Sequence, residues 1–194
     1  MPLPENNRSQ RRASISAVIL TFNNEAIIER LLHSISWMDQ VVIVDSHSQD
    51  RTLQVIHSIR PDATVVQRTL DSFAAQRNYG LQLAECEWIM HFDSDMVVPP
   101  ALRDEILQRV LQGDEAADVF RLSLREFFHD RPTHNFAAIV HTLHRRGHAQ
   151  WQGTIDEEMT VSGKIDTLQH PVHHYGVPSL DRKSTRLNSS HGKL

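Results

Sequence analysis

Trp88-Ile89-Met90-His91-Phe92-Asp93-Ser94-Asp95 reads as a short apolar strand that ends in two carboxylates one residue apart. Side chains at i and i+2 of an extended segment share a face, so both carboxylates can serve one divalent cation and, through it, a diphosphate. Upstream, the chain alternates strand and helix signals. Ile15 to Leu20 is β-branched and apolar and stops at Thr21-Phe22-Asn23-Asn24, a polar cluster suited to starting a helix. Ile27, Ile28, Leu31, Leu32 and Ile35 then fall on one helical face. Val41 to Val44 is a second strand, closed by Asp45, and Ser48 with Asp50 opens a helix carrying Leu53, Ile56 and Ile59. Val65 and Val66 mark a weaker strand, and Phe73 to Ala84 a helix. Pro100 with Leu102, Ile106, Leu107, Val110 and Leu111 gives an amphipathic helix after the paired aspartates.

Continuous apolar strands separated by helices predict an α/β fold with a mostly parallel sheet covered by helices, and ligands at the carboxyl ends of the strands. Thr21, Asp45 and Asp93 all occupy such ends. After Gly113 the pattern changes: Val119 to Leu124, Ala137 to Leu143 and Lys164 to Leu168 read as strands with little helical periodicity between them. This half is expected to be a mixed-sheet extension that completes the site, with the polar run His129 to Asn135 as a mobile loop.

The chain has 194 residues, 40% of them hydrophobic, enough for one sizeable core. A formal charge of −4 gives no general attraction to nucleic acid, and none is expected as a partner. The expected organisation is a disordered leader over 1–14, one domain over 15–180 divided at residue 112, and a tail over 181–194. Arg8, Arg11 and Arg12 in the leader could touch an anionic membrane surface. No apolar run approaches the ~20 residues of a membrane span, and the start lacks a secretory pattern, so a cytoplasmic protein is expected, with peripheral contact at the inner face of the membrane as an extension of that reading. Cys86, the single cysteine, excludes an internal disulfide and reads as a bystander. Asp181 to His191 (DRKSTRLNSSH) resemble the translation of a sequencing-library adapter, so the tail is set aside from fold reasoning and the domain is expected to be cut near Leu180.

Four ordered stretches carry a family resemblance: Ser16 to Glu25 (SAVILTFNNE), Val41 to Thr52 (VVIVDSHSQDRT), Ala75 to Leu81 (AQRNYGL) and Trp88 to Asp95. Together they resemble family 2 glycosyltransferases with the GT-A fold, over roughly residues 15 to 175. Arg125-Glu126-Phe127-Phe128, Leu143-His144-Arg145-Arg146-Gly147 and Ile155-Asp156-Glu157 are similar to the lipooligosaccharide and lipopolysaccharide-core β-1,4-glucosyltransferase branch. The resemblance implies inverting transfer of a sugar, glucose from UDP-glucose by preference, to a hydroxyl of a glycan or glycolipid in bacterial surface synthesis. It places Thr21 and Asp45 at the base and ribose, Arg77 near the nucleotide, and Asp93 and Asp95 on the ribose and metal. Relatives often have a second acidic residue where Ser46 stands here, so base recognition falls to Asp45 or to backbone groups. His174-Tyr175 resembles the family's late His-Tyr and makes His174 a candidate metal or diphosphate contact.

The residue types also make chemical sense without the resemblance. Mg²⁺ or Mn²⁺ on a departing diphosphate neutralises developing charge, with Asp95 as the direct ligand and Asp93 beside it; His174 is added as a further candidate by the resemblance alone. The attacking hydroxyl needs a base; the resemblance puts Glu157 in that role, with Asp156 and Glu158 as alternatives. Adjacent histidines on a strand face opposite sides, so His173 and His174 are not expected to share an ion. His141, His144 and His148 read as ordinary histidines, Trp88 as core, and Trp151 as either a sugar platform or a packing residue. Competing readings are a haloacid-dehalogenase-like phosphatase, a nucleotidyltransferase and a non-catalytic sugar-nucleotide binding fragment. The first lacks suitable lysine company and the second a glycine-rich loop.

Overall fold

The computed structural model describes residues 13–111, 117–128, 130–154 and 157–175. Most of the expected leader, the tail, Asp156 and the side chain of His141 lie outside the described residues. The elements are β1 (Ile15–Thr21), α1 (Ile28–Ser34), β2 (Gln40–Asp45), α2 (Thr52–Ile59), β3 (Thr64–Gln67), α3 (Phe73–Leu83), β4 (Trp88–Asp93), β5 (Met96–Val97) and α4 (Pro100–Leu111). From there the described chain is built of strands: β6 (Val119–Phe128), β7 (Arg131–Arg145), β8 (Ala149–Gln152), β9 (Glu158–Val161), β10 (Ile165–Thr167) and β11 (Val172–Tyr175).

Nine strands form one sheet in the order β3-β2-β1-β4-β7-β6-β11-β5, with β10 also on β6, while β8 and β9 make a separate hairpin. The β3-β2-β1-β4 half is parallel throughout. Alternation sends Ile15, Ala17 and Ile19 of β1 into a core shared with α1, α2 and α4, and Val18 into a second cluster with Val42, Ile89 and the end of α3. Both faces are therefore covered, as near-continuous apolar strands require. Gly80 lets α3 lie close on β1: a Cβ there would sit 2.4 Å from Val18 Cγ1, a stiff β-branched methyl.

Register fixes the functional edge. Thr21 pairs with Asp45 across β1 and β2, and Leu20 with Asp93 across β1 and β4, so the three polar strand ends share one sheet edge. Ser72 caps α3 by accepting the Ala75 N–H at 3.1 Å, which starts that helix at the same edge.

The second half departs from the sequence reading in several places. The polar run after Phe128 is not a long loop: Arg131 already pairs with Phe128, and Pro132 with Phe127, making it the turn of a β6–β7 hairpin with Asp130 at φ 59°. Cross-strand pairing outweighs local polarity there. Ala13 and Ser14, assigned to the leader, are held by the fold; Ser14 O accepts the Trp88 N–H at 3.0 Å. The strands β8, β9 and β11 were not anticipated. β11 inserts between β6, parallel to it, and β5, antiparallel to it. Among the described residues, no helix is long and apolar enough to cross a membrane.

Candidate active site

The loops after β1 and β2 are stitched together at the sheet edge. Asn23 N–H donates to Ser48 Oγ at 2.9 Å, and Gln49 N–H donates back to Asn23 Oδ1 at 2.8 Å. Asn24 N–H reaches Thr52 Oγ1 at 2.7 Å, and Glu25 N–H reaches Asp50 Oδ2 at 3.1 Å. Asn23 and His47 take left-handed backbone, φ 52° and 63°, which these reciprocal bonds hold in place. Asp45 is fully buried, and its carboxylate accepts from Ser48 N–H at 2.9 Å and from Gln67 Nε2 at 3.0 Å. It fixes the shape of this loop from below. Thr21, also buried, accepts from Asn24 Nδ2 at 3.2 Å. Ser46 lies 3.4 Å from Gln76 Nε2, and Gln76 is tied to Arg68 O at 2.9 Å.

A second group centres on Arg77 of α3, whose side chain is 6% exposed. Its Nη2 donates to Asp93 Oδ1 at 2.8 Å and to Glu157 Oε1 at 3.1 Å, so one guanidinium joins the end of β4 to the segment entering β9. Burial opposes the charge on Arg77, but Asp93 and Glu157 outweigh it and raise its pKa. The ring of Trp151 lies 4.6 Å from the Arg77 carbon Cζ. Trp151 is itself clasped by Asn78, which accepts its backbone N–H at 2.9 Å and donates to its carbonyl at 2.8 Å. Its indole N–H donates to His91 Nε2 at 3.2 Å, which makes that nitrogen the unprotonated one. His91 stacks on His144, whose pKa burial pushes down. Trp151 is thus a buried support for Arg77. Among the described residues, the buried Arg77 Nη1 has no hydrogen-bond partner.

The third group joins Asp95 to β11. His174 Nε2 stands 3.2 Å from Asp95 Oδ2, and His174 Nδ1 stands 3.0 Å from Glu126 Oε2 on β6. Burial would lower the His174 pKa, but the hydrogen bond and charge of Asp95, then those of Glu126, raise it to about 9. The Tyr175 N–H also donates to Asp95 O at 2.8 Å. His173 turns to the opposite face, where it packs on Phe127 with ring centroids 4.5 Å apart.

The structure therefore brings Arg77, Asp93 and Glu157 into direct contact, pairs Asp95 with His174, and sets Thr21 beside Asp45. Glu158 is exposed on β9, and Trp88 is buried as expected. Glu126, His91 and Asn78 join the site without having been singled out. The sequence carried little signal for them, since each gains its place through pairing between distant segments.

The sequence profile of the Glycosyl transferase family 2 matches residues 16–167. This chain belongs to glycosyl transferase family 2. An uncharacterized glycosyltransferase of Rickettsia bellii is 26% identical over 196 residues, covering 92% of this chain and 65% of the relative. The lipopolysaccharide core biosynthesis glycosyltransferase LpsC of Rhizobium meliloti is 26% identical over 116 residues, 58% of this chain and 43% of LpsC. Among solved structures, S. aureus TarS 1-349 in complex with UDP-GlcNAc superposes with a TM-score of 0.67 at 17% identity, covering 86% of this chain and 59% of TarS. The fold is GT-A, as in such neighbours. The chain spans just under two thirds of the length of the Rickettsia relatives it matches, 64% to 66%.

The donor set of this family 2 chain fits a divalent cation in a limited way. Asp95 Oδ1 is buried with no hydrogen-bond partner, an orphaned anionic oxygen of the kind a hard cation satisfies. Asp93 has one oxygen on Arg77. Among the described residues, no three histidine, cysteine or acidic side chains form a closed metal cage. A cation here would take most of its ligands from a diphosphate and water, the usual arrangement for Mg²⁺.

Proposed function

We propose that this chain is an inverting glycosyltransferase that uses a uridine diphosphate sugar, glucose by preference, and a divalent cation. The acceptor is a hydroxyl of a bacterial surface glycan or glycolipid. The observation that carries the proposal is the buried guanidinium of Arg77, which holds Asp93 of the Asp-x-Asp strand and the candidate base Glu157 together at the carboxyl edge of the sheet. Support for the substrate class comes from relatives: LpsC is named for lipopolysaccharide core synthesis, and TarS, a poly(ribitol-phosphate) β-N-acetylglucosaminyltransferase, was solved with UDP-GlcNAc.

In this reading the loops after β1 and β2, with Thr21 and Asp45 at their roots, seat the nucleoside. The acceptor oxygen attacks the anomeric carbon on the face opposite the diphosphate. The bond from that carbon to the diphosphate oxygen breaks with its electron pair, and Glu157 takes the acceptor proton. Arg77 keeps Glu157 and Asp93 in register while charge moves from the base toward the leaving group. Asp95, with Asp93 nearby and His174 beside it, would hold a divalent cation, which would supply charge neutralisation for the departing diphosphate. The site is thereby matched to charge that develops during transfer.

A second reading, a sugar-nucleotide binding module without transfer activity, is favoured by the contact of Glu157 with the buried Arg77, which engages the candidate base. Calorimetric titration with UDP and UDP-glucose, with and without Mn²⁺, beside Asp95→Asn, tests the first part. Metal-dependent UDP binding lost in the variant is the expected result, and no binding by folded protein overturns it. Release of UDP from UDP-glucose, in the presence of a glycan acceptor or of water, separates the two readings.

A further inference from the structure

Glu126 stands outside the donor and base residues, yet it is built into the site. It lies on β6 in register with His174 of β11, so the two side chains emerge on one face of the sheet, opposite His173, Phe127 and Tyr175. Its Oε2 is 3.0 Å from His174 Nδ1, and the other ring nitrogen is 3.2 Å from Asp95 Oδ2. The histidine is 3% exposed, and its ring nitrogens are fixed from both sides. Histidines that bind metals commonly donate their second N–H to a carboxylate, which selects the tautomer and aims the lone pair of the opposite nitrogen.

We infer that Glu126 is a positioning residue that holds the His174 Nδ1–H, so that Nε2 faces the cation position shared with Asp95. The inference rests on the divalent-cation reading above. Two geometric facts support it. Neighbouring ligands of a small octahedral cation with bonds of ~2.1 Å lie about 3.0 Å apart. The 3.2 Å between His174 Nε2 and Asp95 Oδ2 is therefore a separation that a shared cation can span without moving the backbone. The second fact is that β11 is anchored independently of these side chains, through β5, β6 and the Tyr175 N–H on Asp95 O. Rotation of the ring is the freedom that remains, and Glu126 removes it. As the ring stands, Nε2–H donates to Asp95 Oδ2, and a cation would take the place of that proton, with Asp95 Oδ1, which has no hydrogen-bond partner among the described residues, as the anionic oxygen beside it.

The test is a Mn²⁺ titration of the intact chain with UDP present, read by electron paramagnetic resonance of free Mn²⁺, together with the pulsed-resonance ¹⁴N coupling of bound Mn²⁺. Wild type is expected to show a directly bound histidine nitrogen. Glu126→Ala is expected to weaken Mn²⁺ binding about 10- to 100-fold and to diminish the coupling. Glu126→Gln, whose amide oxygen can still accept the Nδ1–H, is expected to keep both. Glu126 is 38% exposed, so these variants should fold, and near-ultraviolet circular dichroism checks that they do. A folded Glu126→Ala protein with native Mn²⁺ affinity and native coupling overturns the inference. Wild type that binds Mn²⁺ with no nitrogen coupling overturns it while leaving Asp95 as the cation site. Wild type that binds no Mn²⁺ overturns the cation reading and this inference with it.

Discussion

At the scale of single residues, Arg77 decides how the site is wired. Its guanidinium is buried against Trp151 and shared between Asp93 and Glu157, so the candidate base is held by a charge that also fixes the Asp-x-Asp strand. Glu157→Gln retains an oxygen for Arg77 and removes the basic carboxylate. Turnover should fall by ~10²- to 10⁴-fold with UDP affinity nearly intact, measured by steady-state kinetics beside calorimetry. Near-normal turnover would remove Glu157 from the mechanism and leave Asp156 or Glu158 as the base. The places of Thr21, Asp45 and Asp93 were legible because each closes an apolar strand, where a polar side chain signals a sheet edge. Asp45 shows the limit of that reading. The strand pattern placed it correctly, but only the structure shows its carboxylate buried and occupied by Ser48 and Gln67. Glu126 was illegible for a different reason, since its partner His174 reaches it only through β6–β11 pairing.

At the scale of elements, the first half was readable because amphipathic helices and apolar strands carry distinct periods, and both faces of the sheet are covered by local successors. β11 has no such signal: Val172-His173-His174-Tyr175 becomes a strand because β5 and β6 offer their edges to it. The approach to that strand is pinned to α4 by Glu105, which accepts from Gln169 N–H at 2.8 Å and from His170 N–H at 3.0 Å. Burial tends to raise the Glu105 pKa, but these backbone donors and the His170 ring outweigh it, and the net shift is downward from 4.5. A depressed folded pKa means the unfolded chain binds the proton more readily. The stability from Glu105 is therefore fully present above the ordinary carboxyl value and is lost as pH falls through the folded one. Glu105→Gln should lower stability at neutral pH by about 1–3 kcal/mol. It should also flatten the acid-side decline of urea-unfolding midpoints measured across pH. An acid-side decline identical to that of wild type would show that the joint does not depend on the charge.

At the scale of the whole molecule, the sheet divides the work. The parallel half, β3-β2-β1-β4, presents the loops after β1 and β2, β6 and β11 bring Glu126 and His174 to the site, and the segment before β9 of the separate hairpin brings Glu157 to Arg77. The two halves meet at Asp95, which follows β4 and is held by β11 through both its carbonyl and its carboxylate. A chain ending at residue 171 therefore tests whether the cation position belongs to β4 or is made by the return. Without β11, β5 loses its antiparallel partner, β6 loses the parallel partner along Leu124 to Phe127, and the buried Val172 and His174 are removed. The core between β1, β2, β4 and their helices reaches β11 at Val172 and draws its other residues from elsewhere in the chain, so the shortened chain should still fold, with a lower thermal midpoint, and near-ultraviolet circular dichroism checks that it does. Its UDP binding in Mn²⁺ should drop to the level seen without metal, as measured by calorimetry. Native-level Mn²⁺-dependent binding by that shortened chain would mean that β4 alone places Asp95. The late histidine would then be a structural neighbour of the cation position, with no share in forming it.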